Sequence, residues 1–197
     1  MRYTSAKKHP TYKKTIICHT SFNLIFSLAM TLYFHKYFLI IKDSPACFAV
    51  DHQDTPTLEG ANVTMMFKNW FMWGLVLHCV YAINSAVGIV SAAVSTHFQD
   101  NSLVFMIYGL VIFAGCFWVV KGCSIRWSHA GFVCSGDLLH DQSSTYLIET
   151  GAFMKAYLTT FVILMGIVVC VGCLGCCSFA VTMYRLNDEF GIKFLMP

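Results

Sequence analysis

Four long apolar stretches, almost free of charged residues, alternate with short polar stretches along the chain. The apolar stretches cover residues 15–41, 69–96, 103–120 and 154–183. Each is close to or longer than the roughly 20 residues that an α-helix needs to cross the hydrocarbon core of a bilayer. All four prolines lie outside these stretches, so proline interrupts none of the predicted helices. The pattern predicts an all-α integral membrane protein, a bundle of four transmembrane helices.

The polar stretches between these spans set the topology. They are a basic N-terminal segment (1–14), an outer loop (42–68), an inner turn (97–102), a second outer loop (121–153) and a C-terminal tail (184–197). Lys and Arg are more frequent in the two terminal segments than in the two outer loops, and such segments stay on the cytoplasmic side. We therefore expect both termini on the cytoplasmic side, or on the matrix side in a mitochondrion. Trp70, Trp73 and Trp118, near the outer ends of spans two and three, are expected to be interfacial anchors.

Composition narrows the function classes. Of the 197 residues, 57% are hydrophobic and only 12% are charged, whereas soluble domains carry roughly 25% charged residues. A soluble surface so poor in charge would expose large apolar patches to water. The net charge of +3 is too small for a nucleic-acid surface. An ordinary soluble enzyme domain, a disordered tail and a nucleic-acid binder are excluded, and the lipid bilayer is the expected partner.

The predicted topology divides the ten cysteines. Most lie within the spans, where cysteine usually serves as a small apolar residue, and only Cys47, Cys123 and Cys134 fall in the outer loops. In an oxidising compartment one disulfide is expected, and we favour Cys123–Cys134, which closes a short loop over the bundle. Asn62 opens the sequon Asn-Val-Thr in the first outer loop, which makes it a candidate for glycosylation in a secretory lumen.

A cysteine-rich run, residues 170–177, lies in span four and reads CVGCLGCC. Zinc or iron–sulfur ligation needs four convergent thiolates, usually from a turn and a second segment. Here the run continues an apolar helix, so its glycines and thiols indicate close helix packing instead of a metal site. S-acylation of Cys176 and Cys177, near the inner end of the span, is the alternative.

Polar and small residues form stripes on spans one and two. The stripe on span one has a spacing of four residues (His19, Asn23, Ser27, Thr31, His35), and the second stripe consists of Gly74, His78, Ala82, Ser85, Gly88, Ala92 and Ser95. We predict that these stripes face each other. Histidines within a membrane could also ligate haem or line a proton path. The absence of Asp and Glu from the spans argues against a proton path. His19, His35 and His97 lie near the ends of spans, where a histidine costs little, so we expect packing interactions and no haem or other cofactor.

The second outer loop is the place to look for an enzyme site. It contains Cys134 with two histidines and three acids, yet their spacing matches no nucleophile elbow, zinc helix or phosphate-binding loop. We expect no catalytic residues.

Short motifs in residues 70–183 carry a family resemblance. Span three ends in GCFWVV (115–120), the next loop contains CSGD (134–137) and Ala152-Phe153, and the last span is rich in glycine and cysteine. In these features the chain resembles the transmembrane protein 272-like tetraspan proteins and, more loosely, MARVEL-type four-span proteins. The resemblance implies a four-helix membrane bundle without known chemistry.

The expected function is therefore non-enzymatic: an accessory or structural subunit of a larger membrane complex, in contact with other membrane subunits. Plasma membrane or endomembrane is the favoured location. One alternative is a supernumerary subunit of a respiratory or ATP-synthase complex in the mitochondrial inner membrane. Another is a homo-oligomeric channel or transporter lined by the polar stripes.

Overall fold

The computed structural model describes residues 10–50, 53–94, 102–138 and 146–190. Within these ranges, it describes the backbone alone at residues 10–13, 16, 102–105, 108 and 172–190. In this part the chain forms α1 (Pro10–Lys42), β1 (Phe48–Ala49), β2 (Ala61–Asn62), α2 (Val63–Val94), α3 (Ser102–Arg126), α4 (His129–Cys134) and α5 (Ile148–Phe190). Within it, α1, α2, α3 and α5 are long and apolar enough to cross a membrane, which confirms the four predicted helices.

The long helices extend past the apolar stretches that predict them. α1 begins at Pro10, within the basic segment. Proline is tolerated there because the N–H groups of the first helical turn make no hydrogen bond within the helix, so the missing N–H of proline costs nothing. α3 continues to Arg126 and α5 begins at Ile148, so each includes part of the polar stretch 121–153. Polar residues can continue a helix, and hydropathy therefore locates the apolar part of a helix but not its ends.

α1 packs along α2, and buried residues recur at intervals of seven on both helices. On α1 the buried positions are Ser27, Phe34 and Ile41. On α2 most of the buried residues fall in two rows with the same period: Thr64, Phe71, His78, Ser85 and Ala92 in one, and Phe67, Gly74 and Gly88, with the half-buried Tyr81 between the two glycines, in the other. A repeat of seven residues keeps one face in contact through a gentle left-handed supercoil. The buried residues of the seam therefore have the spacing that is typical of a coiled coil.

The surface of the long helices is apolar. On α1, α2 and α3 many large apolar side chains are exposed, among them Phe22 (67%), Phe113 (75%) and Phe117 (70%). The chain divides into two compact units, Met1–Met154 and Lys155–Pro197. In the second unit, consecutive residues of α5 are exposed all around the helix (Val162, Ile163, Leu164, Met165, Ile167, Val168, Val169 and Val171). A helix that is apolar on every side is stable in lipid, whereas exposure of all this apolar surface to water would be unfavourable.

The polar segments of the first unit form a small cap. β1 pairs antiparallel with β2, with Phe48 opposite Asn62, and α4 contacts β1. The Cys47 N–H donates to the Thr64 hydroxyl oxygen at 2.8 Å, and the Val63 N–H donates to the Cys47 carbonyl at 3.0 Å. These bonds hold the segment that carries Cys47 against the start of α2.

The disulfide of the cap joins Cys47 to Cys134, with a Cα–Cα distance of 6.0 Å. The predicted Cys123–Cys134 pair is therefore wrong, and Cys123 is a free, half-buried thiol. The physical reason is that α3 does not end before Arg126, so Cys123 is fixed on a helix instead of lying in a flexible loop. Cys134 ends α4, which packs on the strand next to Cys47.

Candidate functional site

Two tryptophans bind α2 to α3 through a reciprocal pair of hydrogen bonds. The Trp70 indole N–H donates to the Trp118 carbonyl oxygen at 3.2 Å, and the Trp118 indole N–H donates to the Trp70 carbonyl oxygen at 2.9 Å. The two indoles are stacked, with ring centres 4.5 Å apart and an interplanar angle of 9°. Both are buried, so they are not the interfacial anchors that the sequence predicts, whereas Trp73 is 57% exposed.

Phe34 of α1 lies at the centre of an aromatic cluster on this tryptophan pair. Its ring is fully buried. The centre of this ring lies 5.4 Å from the ring centre of Trp118, 5.5 Å from that of Trp70 and 5.1 Å from that of His78. Phe153, at the start of α5, meets Phe34 edge-on at 5.6 Å. Aromatic pairs of this kind add about 0.5–1.5 kcal/mol each beyond the area they bury. The cluster therefore joins α1, α2, α3 and the first turns of α5.

Gly74 makes this close approach possible. A Cβ at Gly74 would lie 2.6 Å from Phe34 Cε1 and 2.6 Å from Trp118 Cζ2. Real side chains do not approach so closely, so both rings occupy the space that any residue other than glycine would fill.

His78, four residues after Gly74 on α2, is buried beside this cluster. Its ring stacks on Phe34 at an interplanar angle of 28° and meets Phe26 and Trp118 edge-on, both at 6.3 Å. Among the side chains that the structure describes, no three His, Cys, Asp or Glu residues come together as a metal site. The arrangement around His78 is one of ring packing.

The other residues of the predicted stripes are placed unevenly. Ser27 and Ser85 are buried in the α1–α2 seam, Asn23 and Thr31 are half-buried, and His35 is exposed. Thr31 donates to the Ser27 carbonyl of its own helix at 2.8 Å. A spacing of four drifts off the contact face, whereas the seam follows a spacing of seven, which is why His35 leaves it. The side chains of Cys176 and Cys177 lie outside the described residues, as does Ser95.

Arg126 holds the cap to the ends of two long helices. Its side chain is fully buried; Nε donates to the Gly151 carbonyl at 3.0 Å, and Nη2 pairs with Asp137 Oδ2 at 2.7 Å. The guanidinium also lies over the Phe132 ring, 5.6 Å from its centre. A buried arginine is tolerated only when it is paired and hydrogen-bonded. Arg126 is not among the site residues predicted from the sequence, although an arginine near the end of an apolar stretch in a charge-poor chain indicates a buried ion pair.

Asn62, the candidate for glycosylation, caps α2. Its side-chain oxygen accepts a hydrogen bond from the Met65 N–H at 2.9 Å, as N-capping residues do. Asn62 is half-buried, and its Nδ2 donates no hydrogen bond to a described residue. The atom to which a glycan would be attached is therefore not needed for the N-capping hydrogen bond of α2.

A groove of about 570 Å³ lies beside the tryptophan pair, between α2 and α3. Its floor includes Trp70 and Trp118, and the exposed rings of Trp73 and Phe117 form walls. Asn69 and Lys121 are the polar residues that line it. The volume is in the range of about 300–1,000 Å³ that is typical of small-molecule sites. This groove therefore has the size and shape of a ligand site.

Comparison with known proteins gives no relative: no protein-family model, no curated protein and no solved structure matches the chain. The resemblance to transmembrane protein 272-like and MARVEL-type proteins therefore stays a prediction.

Proposed function

We propose that this chain is a non-enzymatic, four-span membrane protein that serves as an accessory or structural subunit of a larger membrane complex. The cap faces the extracellular space or a secretory lumen, and both termini face the cytoplasm. The membrane is the plasma membrane or an endomembrane.

The observation that carries this proposal is a pair of open glycines on apolar helix surfaces. Within its own unit of the chain, neither Gly109 of α3 nor Gly166 of α5 has a described neighbouring atom within 4 Å of the position of a Cβ. Gly109 is followed by Leu110, which is 62% exposed, and Gly166 by Ile167, which is 54% exposed. Small residues let membrane helices approach each other closely, as Gly74 does between α2 and its neighbours. Gly109 and Gly166 are depressions of the same kind that another subunit can fill.

The Cys47–Cys134 bond supports the proposed compartment. Disulfides persist in the secretory lumen and outside the cell, whereas glutathione and thioredoxin keep cytosolic thiols reduced. The bond joins the two polar segments that the charge distribution assigns to the outer side.

The test is purification in a mild detergent, followed by identification and counting of the subunits in the complex. Filling the depressions with Gly109→Leu and Gly166→Leu is expected to release partner subunits. Ile112→Leu and Val168→Leu, at exposed positions of the same helices, are matched controls and are expected to retain them. Formation of the Cys47–Cys134 bond, followed on a non-reducing gel, shows whether each variant has folded.

Other outcomes of this test would replace the proposal. A chain that is monomeric and alone in mild detergent would contradict it. Co-purification with respiratory or ATP-synthase subunits would place it in the mitochondrial inner membrane instead. Ion flux through the purified chain reconstituted alone in vesicles would indicate a homo-oligomeric channel.

A further inference from the structure

We propose that the groove between α2 and α3 binds one glycerophospholipid, with the phosphate on Lys121 and an acyl chain along the tryptophan pair. This inference rests on the proposed insertion in a membrane, because the groove would then open to lipid.

The floor of the groove accepts only apolar contacts. Both indole N–H groups beneath it already donate to backbone carbonyls of the opposite helix. Trp73, Val76 and Ala114 continue this apolar lining. A ligand gains little by presenting a polar group here, because that group would lose its water without gaining a partner.

The polar atoms of the groove are at one level. Asn69 on α2 and Lys121 on α3 flank the tryptophans on the side of the cap. Leu77 lies eight residues further along α2 and Ala114 seven residues back along α3, so the lining extends about 10–12 Å below this level at 1.5 Å per residue. On the side of the cap, Met66 and Ile125 continue the lining for only about 4–6 Å. The groove therefore has one polar level, with the longer apolar part on the side away from the cap, which suits a lipid that lies parallel to the helices.

The charge of Lys121 indicates what the head of the ligand carries. Lys121 is exposed and makes no ion pair with any residue in the described part of the chain, in contrast to Lys36, which pairs with Glu149 at 3.7 Å. An ammonium group at a membrane surface attracts phosphate oxygens through charge-assisted hydrogen bonds. A phosphodiester satisfies it, whereas the hydroxyl of a sterol or diacylglycerol adds no charge. Asn69, which is exposed in the same lining, supplies an amide donor for the glycerol ester region.

Native mass spectrometry of the whole chain, with its Cys47–Cys134 bond intact, can test this assignment. Dioleoylphosphatidylcholine and dioleoylglycerol are titrated separately onto delipidated protein in mild detergent. We expect one tightly retained phosphatidylcholine and at least tenfold weaker retention of dioleoylglycerol, since a hydrogen bond to a charged group is worth at least about a factor of ten in affinity.

Two variants and two controls locate the site. Lys121→Gln is expected to weaken phosphatidylcholine retention about tenfold without affecting dioleoylglycerol. Ala114→Phe, which fills the groove, is expected to abolish retention of both. Lys42→Gln removes an equal charge outside the groove, and Val120→Phe adds bulk at an exposed position of α3 that does not line it. Both controls are expected to bind like the natural chain.

The result that overturns the inference is equal phosphatidylcholine retention by Lys121→Gln, Ala114→Phe and the controls. Equal affinity for dioleoylglycerol and phosphatidylcholine, or a protein subunit crosslinked to the groove in place of lipid, would also overturn it. Extraction of the chain from membranes by alkaline carbonate would refute both the inference and the proposed function. A chain that stays in the membrane with its partner subunits, yet retains no phospholipid, would refute the inference alone.

Discussion

Gly74→Ala is the substitution that most directly tests the aromatic cluster. The new methyl group would lie 2.6 Å from ring atoms of both Phe34 and Trp118. Neither ring can move away at low cost: Phe34 is fully buried among other rings, and the Trp118 indole is held by its hydrogen bond to the Trp70 carbonyl. The helices must therefore separate or the indole pair must break.

Two opposing terms set the size of the effect. Replacing glycine by alanine in a helix gains up to about 1 kcal/mol from propensity, whereas overpacking a tight core costs about 1–3 kcal/mol. With two rings obstructed, the upper end of the packing cost applies, and the net loss is about 2 kcal/mol. For a chain of this length, that loss lowers Tm by roughly 4–8 °C.

The assay is thermal unfolding in detergent micelles, compared across a series of glycines on the same helices. At Gly88 a Cβ would meet the Thr20 Cγ2 at 3.5 Å, an ordinary contact, and at Gly109 it would meet nothing within 4 Å. Gly88→Ala and Gly109→Ala are expected to be neutral or slightly stabilising. If Gly74→Ala unfolded at the same temperature as these two variants, the cluster would not have the close contacts on which this reasoning depends.

Three further predictions concern the cap. Cys47→Ser removes the disulfide that closes a loop of 87 residues, and it is expected to lower the free energy of unfolding by about 4–5 kcal/mol because the unfolded chain gains entropy. Cys123→Ser is expected to change this free energy by less than about 1 kcal/mol. Both values are measured by denaturant unfolding without reductant. Asp137→Asn leaves the Arg126 guanidinium buried without its carboxylate and is expected to cost about 3 kcal/mol. Arg126→Met in that background is expected to restore part of the loss, so additive losses in a double-mutant cycle would contradict the pairing. Asn62→Gln is expected to remove a glycosidase-sensitive gel shift and weaken the α2 cap by about 1 kcal/mol, whereas Asn62→Asp removes only the gel shift; no shift in the natural chain expressed in a secretory system would count against glycosylation.

The four long helices could be predicted because exclusion of charge is a property of each segment by itself. The residues of the α1–α2 seam were harder to predict, because Ser27 belongs both to a pattern with a spacing of four residues and to one with a spacing of seven. The buried Phe34 and Ile41, which are apolar residues among apolar residues, distinguish the two. Hydropathy gives no indication of which of many phenylalanines is central.

The cap could not be predicted from spacing, since its contacts join segments distant in sequence. Cys47 and Cys134 are 87 residues apart, and Arg126 reaches the backbone of Gly151. The tryptophan pair shows a related difficulty. Trp70 and Trp118 have the sequence positions of interfacial anchors, yet each finds a carbonyl partner on the opposite helix, and that choice depends on the register of α2 against α3.

The disulfide also constrains how the chain can lie across a bilayer. Cys47 precedes α2 and Cys134 follows α3, so the bond closes a covalent ring that contains both helices. The two thiols can meet only when they have reached the same compartment, which requires an even number of membrane crossings between them. An oxidised chain therefore excludes any arrangement in which only one of these two helices crosses a membrane, because that arrangement would hold the two cysteines on opposite sides.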